Sequence, residues 1–249
     1  MTDDPGTVHT LLGGRVRLRQ PAGGLRAGLD AVMLAASARP RPGDRVLDAG
    51  CGAGAVFLCL LARCADLHVV AVERDPGLAA LARENAALNG WEDRVTVVEG
   101  DVSDPALRAR LPRCRHALCN PPYWPGGTAP PAALRAAATH AEDAPLLTWS
   151  AFLASALHPG GHAALVLPAA RLDEAITTLR ISAFGAITIL PLWPRIGVPA
   201  KRVILCARRG ARGPARLLPG LVLHGETGWT VEADAVLRGA GALLPDAGN

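Results

Sequence analysis

Arg45-Val46-Leu47-Asp48-Ala49-Gly50-Cys51-Gly52-Ala53-Gly54 runs from a short apolar stretch into a turn with glycine at every second position. Val46 to Ala49 have the composition of a buried strand, and glycines let the main chain turn sharply and admit a ligand close to its backbone. A helical pattern follows at once over Ala55 to Arg63. Strand, glycine turn and helix in that order form the place where open parallel sheets bind nucleotide-like cofactors.

Outward from this unit the alternation repeats. Strand-like runs occupy Arg45 to Ala49, Leu67 to Glu73, Arg94 to Glu99, His116 to Cys119, His162 to Leu167, Ala186 to Leu192 and Arg202 to Ala207. Helical patterns fit between them at Ala55 to Arg63, Pro76 to Leu88, Pro105 to Arg110, Leu146 to Leu157 and Ala169 to Ile181. Asp75-Pro76 gives a helix cap followed by proline in the first turn, and Asn89-Gly90 and Pro159-Gly160 supply stops. The pattern predicts an α/β, doubly wound, Rossmann-like sheet of seven strands with its ligand cleft at the carboxyl ends of the central strands. No helix separates the last two runs, which should pair as an antiparallel hairpin.

Three segments follow. Residues 1–40 form an N-terminal extension: a loose tail to Thr10, a strand signal in Arg15-Val16-Arg17-Leu18-Arg19, and a helix from Ala31 to about Ala38 with Asp30 placed as its cap. Residues 41–209 carry the cofactor-binding domain. Residues 210–249 form a basic and apolar extension packed on that domain, with an apolar run from Leu217 to Leu223 and a terminal helix near Ala233 to Leu244.

Gly50-x-Gly52-x-x-Ala55 also matches a dinucleotide fingerprint, so glycine spacing alone does not choose the cofactor. Asp48 helps to choose. A carboxylate two residues before the first glycine opposes a pyrophosphate, whereas S-adenosylmethionine lacks phosphate and carries an ammonium and a sulfonium. Glu73 ends the second strand, where it can accept both ribose hydroxyls. Asp101, after the third strand, can accept the adenine amine of the cofactor, with the Val102 N–H offered to a ring nitrogen. Three acids following consecutive strands converge on one cleft and favour S-adenosylmethionine over NAD.

The fourth run ends in Asn120-Pro121-Pro122-Tyr123, before Trp124. Two prolines fix φ and remove two backbone donors, leaving a stiff acceptor edge beside an aromatic plate. The Asn120 side-chain oxygen and the Pro121 carbonyl suit the two hydrogens of a planar exocyclic amine, and Tyr123 can cover the ring.

The chain has 249 residues, half of them hydrophobic, and a net charge of +4. No apolar run approaches the ~20 residues of a membrane span, and Met1 to Thr10 lacks a secretion signal, so a cytoplasmic protein is expected. The six cysteines contain no Cys-x-x-Cys pair, which argues against a metal site. No acid lies between Glu174 and Glu226, while Arg195, Lys201, Arg202, Arg208 and Arg209 fall there. That field suits RNA. Arg135, in a long loop from Trp124 to Asp143, and Trp124 itself are further candidate RNA contacts.

Together, Asp48 to Gly54, Glu73, Asp101 and Asn120 to Tyr123 look like a class I S-adenosylmethionine-dependent amino-methyltransferase. Leu18-Arg19-Gln20-Pro21, Gly28-Leu29-Asp30-Ala31, Arg83-Glu84-Asn85-Ala86-Ala87-Leu88-Asn89-Gly90 and Pro191-Leu192-Trp193-Pro194-Arg195 resemble the bacterial tRNA(Val) adenine-N6 methyltransferase family, over about Leu11 to Leu244. The resemblance implies tRNA as partner and methylation of the adenine next to the anticodon. It further implies Arg26 and Asp30 at the methionine end of the cofactor, and Asn120 beside both cofactor and target amine. Asn-Pro-Pro-Tyr is shared with enzymes acting on guanine N2 of ribosomal RNA and on glutamine N5 of proteins. Those substrates, and an RNA-binding factor without turnover, stand as alternatives. A monomer is expected.

Overall fold

A computed structural model of the chain describes residues 8–21, 28–122 and 145–243. The chain opens with an antiparallel pair, β1 (Val8–Leu11) and β2 (Val16–Arg19), and a helix, α1 (Leu29–Ser37). Then β3 (Arg45–Ala49), α2 (Ala55–Arg63), β4 (His68–Glu73), α3 (Pro76–Leu88), β5 (Val95–Glu99), α4 (Pro105–Arg110) and β6 (Cys114–Cys119) alternate. After α5 (Leu146–Ala156) come β7 (Leu157–Pro168), α6 (Leu172–Ile181), β8 (Phe184–Trp193) and β9 (Arg202–Arg209). Two short strands, β10 (Arg216–Leu217) and β11 (Leu221–Val222), precede α7 (Val231–Leu237).

The main sheet runs β10-β8-β9-β7-β6-β3-β4-β5, with β11 also on β8. Its β3 to β7 pairings are parallel, and β9 is antiparallel to both β7 and β8, as expected for the final hairpin. The chain builds outward from β3 through β4 to β5, then returns to place β6 on the other side of β3. That reversal opens a crevice between the loops leaving β3 and β6.

Alternate residues of each strand enter two apolar layers. Val46, Val69, Ala71, Leu118 and Val166 pack with α1, α2, α3, α7 and the β1–β2 hairpin. Leu47, Val70, Val72, Ala117 and Leu165 pack with α4, α5 and α6. Burial on both faces explains why these strands read as nearly unbroken apolar runs. The helix starts are chemically punctuated: Asp75 accepts the Leu78 N–H at 2.8 Å and Asp104 accepts the Ala106 N–H at 2.8 Å, each followed by proline.

Four expectations change. Val8 to Leu11 is a strand, because its main chain pairs with β2 from Val8↔Arg19 to Leu11↔Val16. α1 begins at Leu29 with Gly28 as cap, so Asp30 lies inside the first turn, its carboxylate held by Arg202 at 2.9 Å. The run from Leu217 to Leu223 splits into two parallel additions to β8 and widens the sheet beyond seven strands. The last helix ends at Leu237, where a turn through Gly239 and Gly241 returns the Gly241 N–H to the Ala235 carbonyl at 2.9 Å. Arg63 donates to the carbonyls of Val236 and Gly241 at 2.6 and 2.8 Å, fastening this segment to α2. No helix among the described residues is long and apolar enough to cross a membrane.

Candidate functional site

The glycine turn is fixed by its neighbours at the carboxyl end of the sheet. The Gly50 and Cys51 N–H groups both donate to the Val72 carbonyl, at 2.9 and 3.0 Å, so the turn curls over the end of β4. Gly50 has φ 70°, and a Cβ there would lie 2.8 Å from the Trp149 ring, which leaves room for glycine alone. Gly52 has φ 55°, and its Cβ direction meets nothing within 4 Å. The turn is therefore packed on one side and open on the other.

Asp48 is buried beneath this turn. One oxygen, Oδ2, accepts the Phe57 N–H at 3.2 Å, serving α2 as a capping side chain would although it comes from β3. The other, Oδ1, is buried without a hydrogen-bond partner. Burial pushes the carboxyl up to about 7, the Phe57 N–H opposes the shift, and Glu73 adds to it. A cation at Oδ1 would relieve the cost of the buried charge.

Glu73 joins the turn to the next helix. Its Oε2 accepts the Gly52 N–H at 2.8 Å and its Oε1 accepts the Asp75 N–H at 2.9 Å. A carboxylate has about four acceptor directions, so both oxygens retain capacity for ligand hydroxyls. Asp101 Oδ1 accepts the Ser103 N–H at 2.8 Å and the Ser103 hydroxyl at 2.7 Å, while Arg74 lies 3.3 Å from Oδ2. Burial opposes its charge, but these donors outweigh burial and hold the carboxyl below its ordinary value. Val102, next in the chain, is buried. Burial raises the Cys51 and Cys119 thiols well above their ordinary value, with Asp48 adding to the shift, so neither is poised as a nucleophile.

Strand register brings these groups level. Ala49 pairs with Val72 on one side and with Cys119 on the other, and Glu73 pairs with Glu99. Asn120, half-buried, and Pro121, buried, thus leave β6 directly beside the strand carrying Asp48. The sequence candidates Arg26, Tyr123, Trp124 and Arg135 lie outside the described residues.

Asn85, quoted only within a sequence motif, and Asn89, also read as part of a helix stop, have a further structural role here. Asn85, fully buried on α3, exchanges both amide hydrogen bonds with the Arg19 backbone at 2.8 and 2.9 Å and also donates to the Ala53 carbonyl at 2.9 Å. Asn89, one helical turn on, repeats the exchange with Arg17 at 2.8 and 2.7 Å. The two amides therefore act as a strand edge for β2, and Asn85 ties that edge to the glycine turn. Their i, i+4 spacing opposite an alternating strand was the available signal.

The basic candidates divide between two ends of the molecule. Arg195 and Lys201 flank the loop leaving β8, at the same end as Asn120, and Arg202 is paired with Asp30. Because β9 runs back, Arg208 and Arg209 sit roughly 20 Å away, at the amino end of β7, where Arg208 donates to the Gly160 carbonyl at 3.3 Å and Arg209 to that of Leu157. The structure does not bring them to the cleft. Among the described residues no cluster of three or more His, Cys, Asp or Glu side chains is arranged to hold a metal.

Known proteins resemble this chain in sequence and fold. The model of the methyltransferase small domain matches residues 29–146. A tRNA1(Val) (adenine(37)-N6)-methyltransferase from Aeromonas hydrophila is 35% identical over 188 residues, covering 75% of this chain and 78% of that one. A protein of the same name from Shewanella baltica is 31% identical, covering 73% and 76%. The solved structure of a predicted O-methyltransferase from Agrobacterium tumefaciens superposes with a TM-score of 0.72 at 27% identity, over 88% of this chain and 100% of that one. A methyltransferase from Pyrococcus furiosus shares the fold at a TM-score of 0.58 and 18% identity, covering 79% and 90%. The domain match and these relatives agree: the chain is an S-adenosylmethionine-dependent methyltransferase and belongs to the family of the tRNA1(Val) (adenine(37)-N6)-methyltransferases.

Proposed function

We propose that this enzyme methylates the exocyclic N6 amine of an adenine in tRNA. The observation that carries this reading is the position of Asn120-Pro121, which ends the strand paired with β3 at the reversal point of the sheet. The names of the relatives support tRNA and adenine as the substrate class.

The cleft fits a cationic nucleoside cofactor, since Asp48 Oδ1 is buried without a partner, Gly52 is open, and Glu73 and Asp101 close the adjoining strands. When bound, S-adenosylmethionine supplies an electrophilic methyl group carried on sulfur. Asp48 would offset positive charge at the methionine end, and Arg26 and Asp30 are further candidates to line that end. Glu73 would accept the ribose hydroxyls, Asp101 would accept the cofactor's adenine amine, and the Val102 N–H would donate to a ring nitrogen.

An aromatic amine is a weak nucleophile because its lone pair is spread into the ring. The Asn120 side-chain oxygen and the Pro121 carbonyl accept its two hydrogens, which favours a more tetrahedral nitrogen and stabilises the positive charge that develops there. The proton is then lost to solvent. Tyr123 stacks on the extruded base, contributing about 1 to 3 kcal/mol against the cost of unstacking. Arg195 and Lys201 meet nearby phosphates.

The reading is tested by incubating the full chain with labelled S-adenosylmethionine and bulk tRNA that lacks the modification, then digesting to nucleosides. N6-methyladenosine is the expected product. Label confined to N2-methylguanosine, or absent from RNA and present on protein glutamine, would replace this reading with one of the two other planar amines.

A further inference from the structure

A second basic feature lies at the opposite end of the sheet, where its central strands begin. Arg45 and His68 begin β3 and β4, Arg113 and Arg115 flank the start of β6, and His158 is the second residue of β7. These side chains line a concavity of about 290 Å³ together with Asp44. An adjoining concavity of about 210 Å³ shares Arg115 and Asp44 and adds Arg39, Arg41, His116 and His162. The length of β3 separates this end from the glycine turn by roughly 13 Å, so an anion held here is not the cofactor.

Asp44 is the one carboxylate lining either concavity among the described residues. Its Oδ2 accepts the Arg41 backbone N–H at 2.8 Å and lies 3.5 Å from His116 Nε2. His116 in turn stacks on His162 with ring centres 5.5 Å apart. Arg113 in the lining, and Arg208 on the strand beside it, are anchored by neutral groups. Arg113 donates to the carbonyls of Leu157 and Ser155 at 2.9 and 3.4 Å, and Arg208, on the strand paired with His162, donates to that of Gly160. A carbonyl fixes a guanidinium without neutralising it, so these bonds preorganise positive charge instead of consuming it.

We propose that these joined concavities form a groove that binds successive phosphates of the RNA backbone, a second contact for the molecule whose base enters the cleft. Each concavity is at or below the ~300 to 1,000 Å³ usual for a small-molecule socket. Their continuity through Arg115 suits an extended polyanion better than one enclosed ligand. Arginine forks grip phosphate oxygens in pairs. The inference rests on RNA being the substrate.

The test is fluorescence anisotropy of labelled bulk tRNA on the full chain across a salt series, comparing wild type with the Arg45→Gln, Arg115→Gln double variant. Both side chains are exposed, and melting temperature with and without S-adenosylhomocysteine confirms the fold. The expected result is a roughly tenfold weaker Kd at moderate salt and a log Kd against log salt slope shallower by about 2, with kcat at saturating tRNA unchanged. Unchanged affinity and slope would overturn the groove. A melting shift with inorganic pyrophosphate that the double variant loses, alongside unchanged tRNA affinity, would assign the site to a free phosphate compound and equally overturn it. If tRNA binds through these arginines but acquires no N6-methyladenosine, the groove stands and the proposed reaction falls.

Discussion

Burial raises the Asp48 carboxyl from an ordinary 3.8 to about 7, with the Phe57 N–H opposing and Glu73 assisting. The folded protein thus holds this proton more tightly than the unfolded chain, so the group's contribution to stability falls as pH rises from about 4 through 7. Asp48→Asn should therefore raise the melting temperature of the free enzyme at pH 8 and change it little at pH 4. The same substitution should weaken S-adenosylmethionine binding at pH 8, because a neutral amide no longer offsets the donor's positive charge; calorimetry checks this. Asn85→Ala removes partners from the Arg19 N–H and from the Arg19 and Ala53 carbonyls. It should cost about 2 to 4 kcal/mol in denaturant unfolding, and Asn85→Leu, similar in volume, should not restore it. The places of Asp48, Glu73 and Asp101 at or just past the carboxyl ends of consecutive strands were legible because apolar runs mark those strands. Asn85 carried only its i, i+4 spacing with Asn89 as a signal: its partner is the main chain 66 residues earlier, and a side-chain alphabet does not display backbone edges.

Element boundaries were legible wherever chemistry punctuates the chain. α2, α3 and α4 occupy the spans expected for them, two of them opened by Asp-Pro and the other by a glycine turn. The start of α1 shifted because the Asp30 carboxylate is taken by Arg202 across 172 residues, a tertiary pairing that outweighs a local cap. β10 and β11, two residues each, are too short to produce a periodicity and exist because β8 offers an unpaired edge. Gly50→Ala probes the turn as a unit. A methyl group would meet the Trp149 ring at 2.8 Å with φ held at 70°, so stability should fall by about 2 kcal/mol and the melting shift given by S-adenosylhomocysteine should shrink. An unchanged shift would mean that the turn can move away from Trp149 without losing its ligand geometry.

At the scale of the whole molecule, the antiparallel return of β9 distributes a run of basic residues that is continuous in sequence to opposite ends of the sheet. Linear charge density therefore favoured an anionic partner without locating the surface it would meet. Arg195→Ala with Lys201→Ala, at the cleft end, should raise KM for tRNA several-fold with kcat nearly constant, and the effect should fade as salt increases. Residues at the reacting centre should behave oppositely. The reversal of strand order between β3 and β6 places Asn120 and Pro121 at the end of the strand beside the one that carries the buried Asp48, and the proposed methylation of a planar amine rests on that adjacency. The most direct measurement is the single-turnover rate of N6-methyladenosine formation by Asn120→Ala on unmodified tRNA at saturating donor. The account predicts a fall of about 100-fold with the S-adenosylhomocysteine melting shift retained; a rate equal to wild type would contradict it.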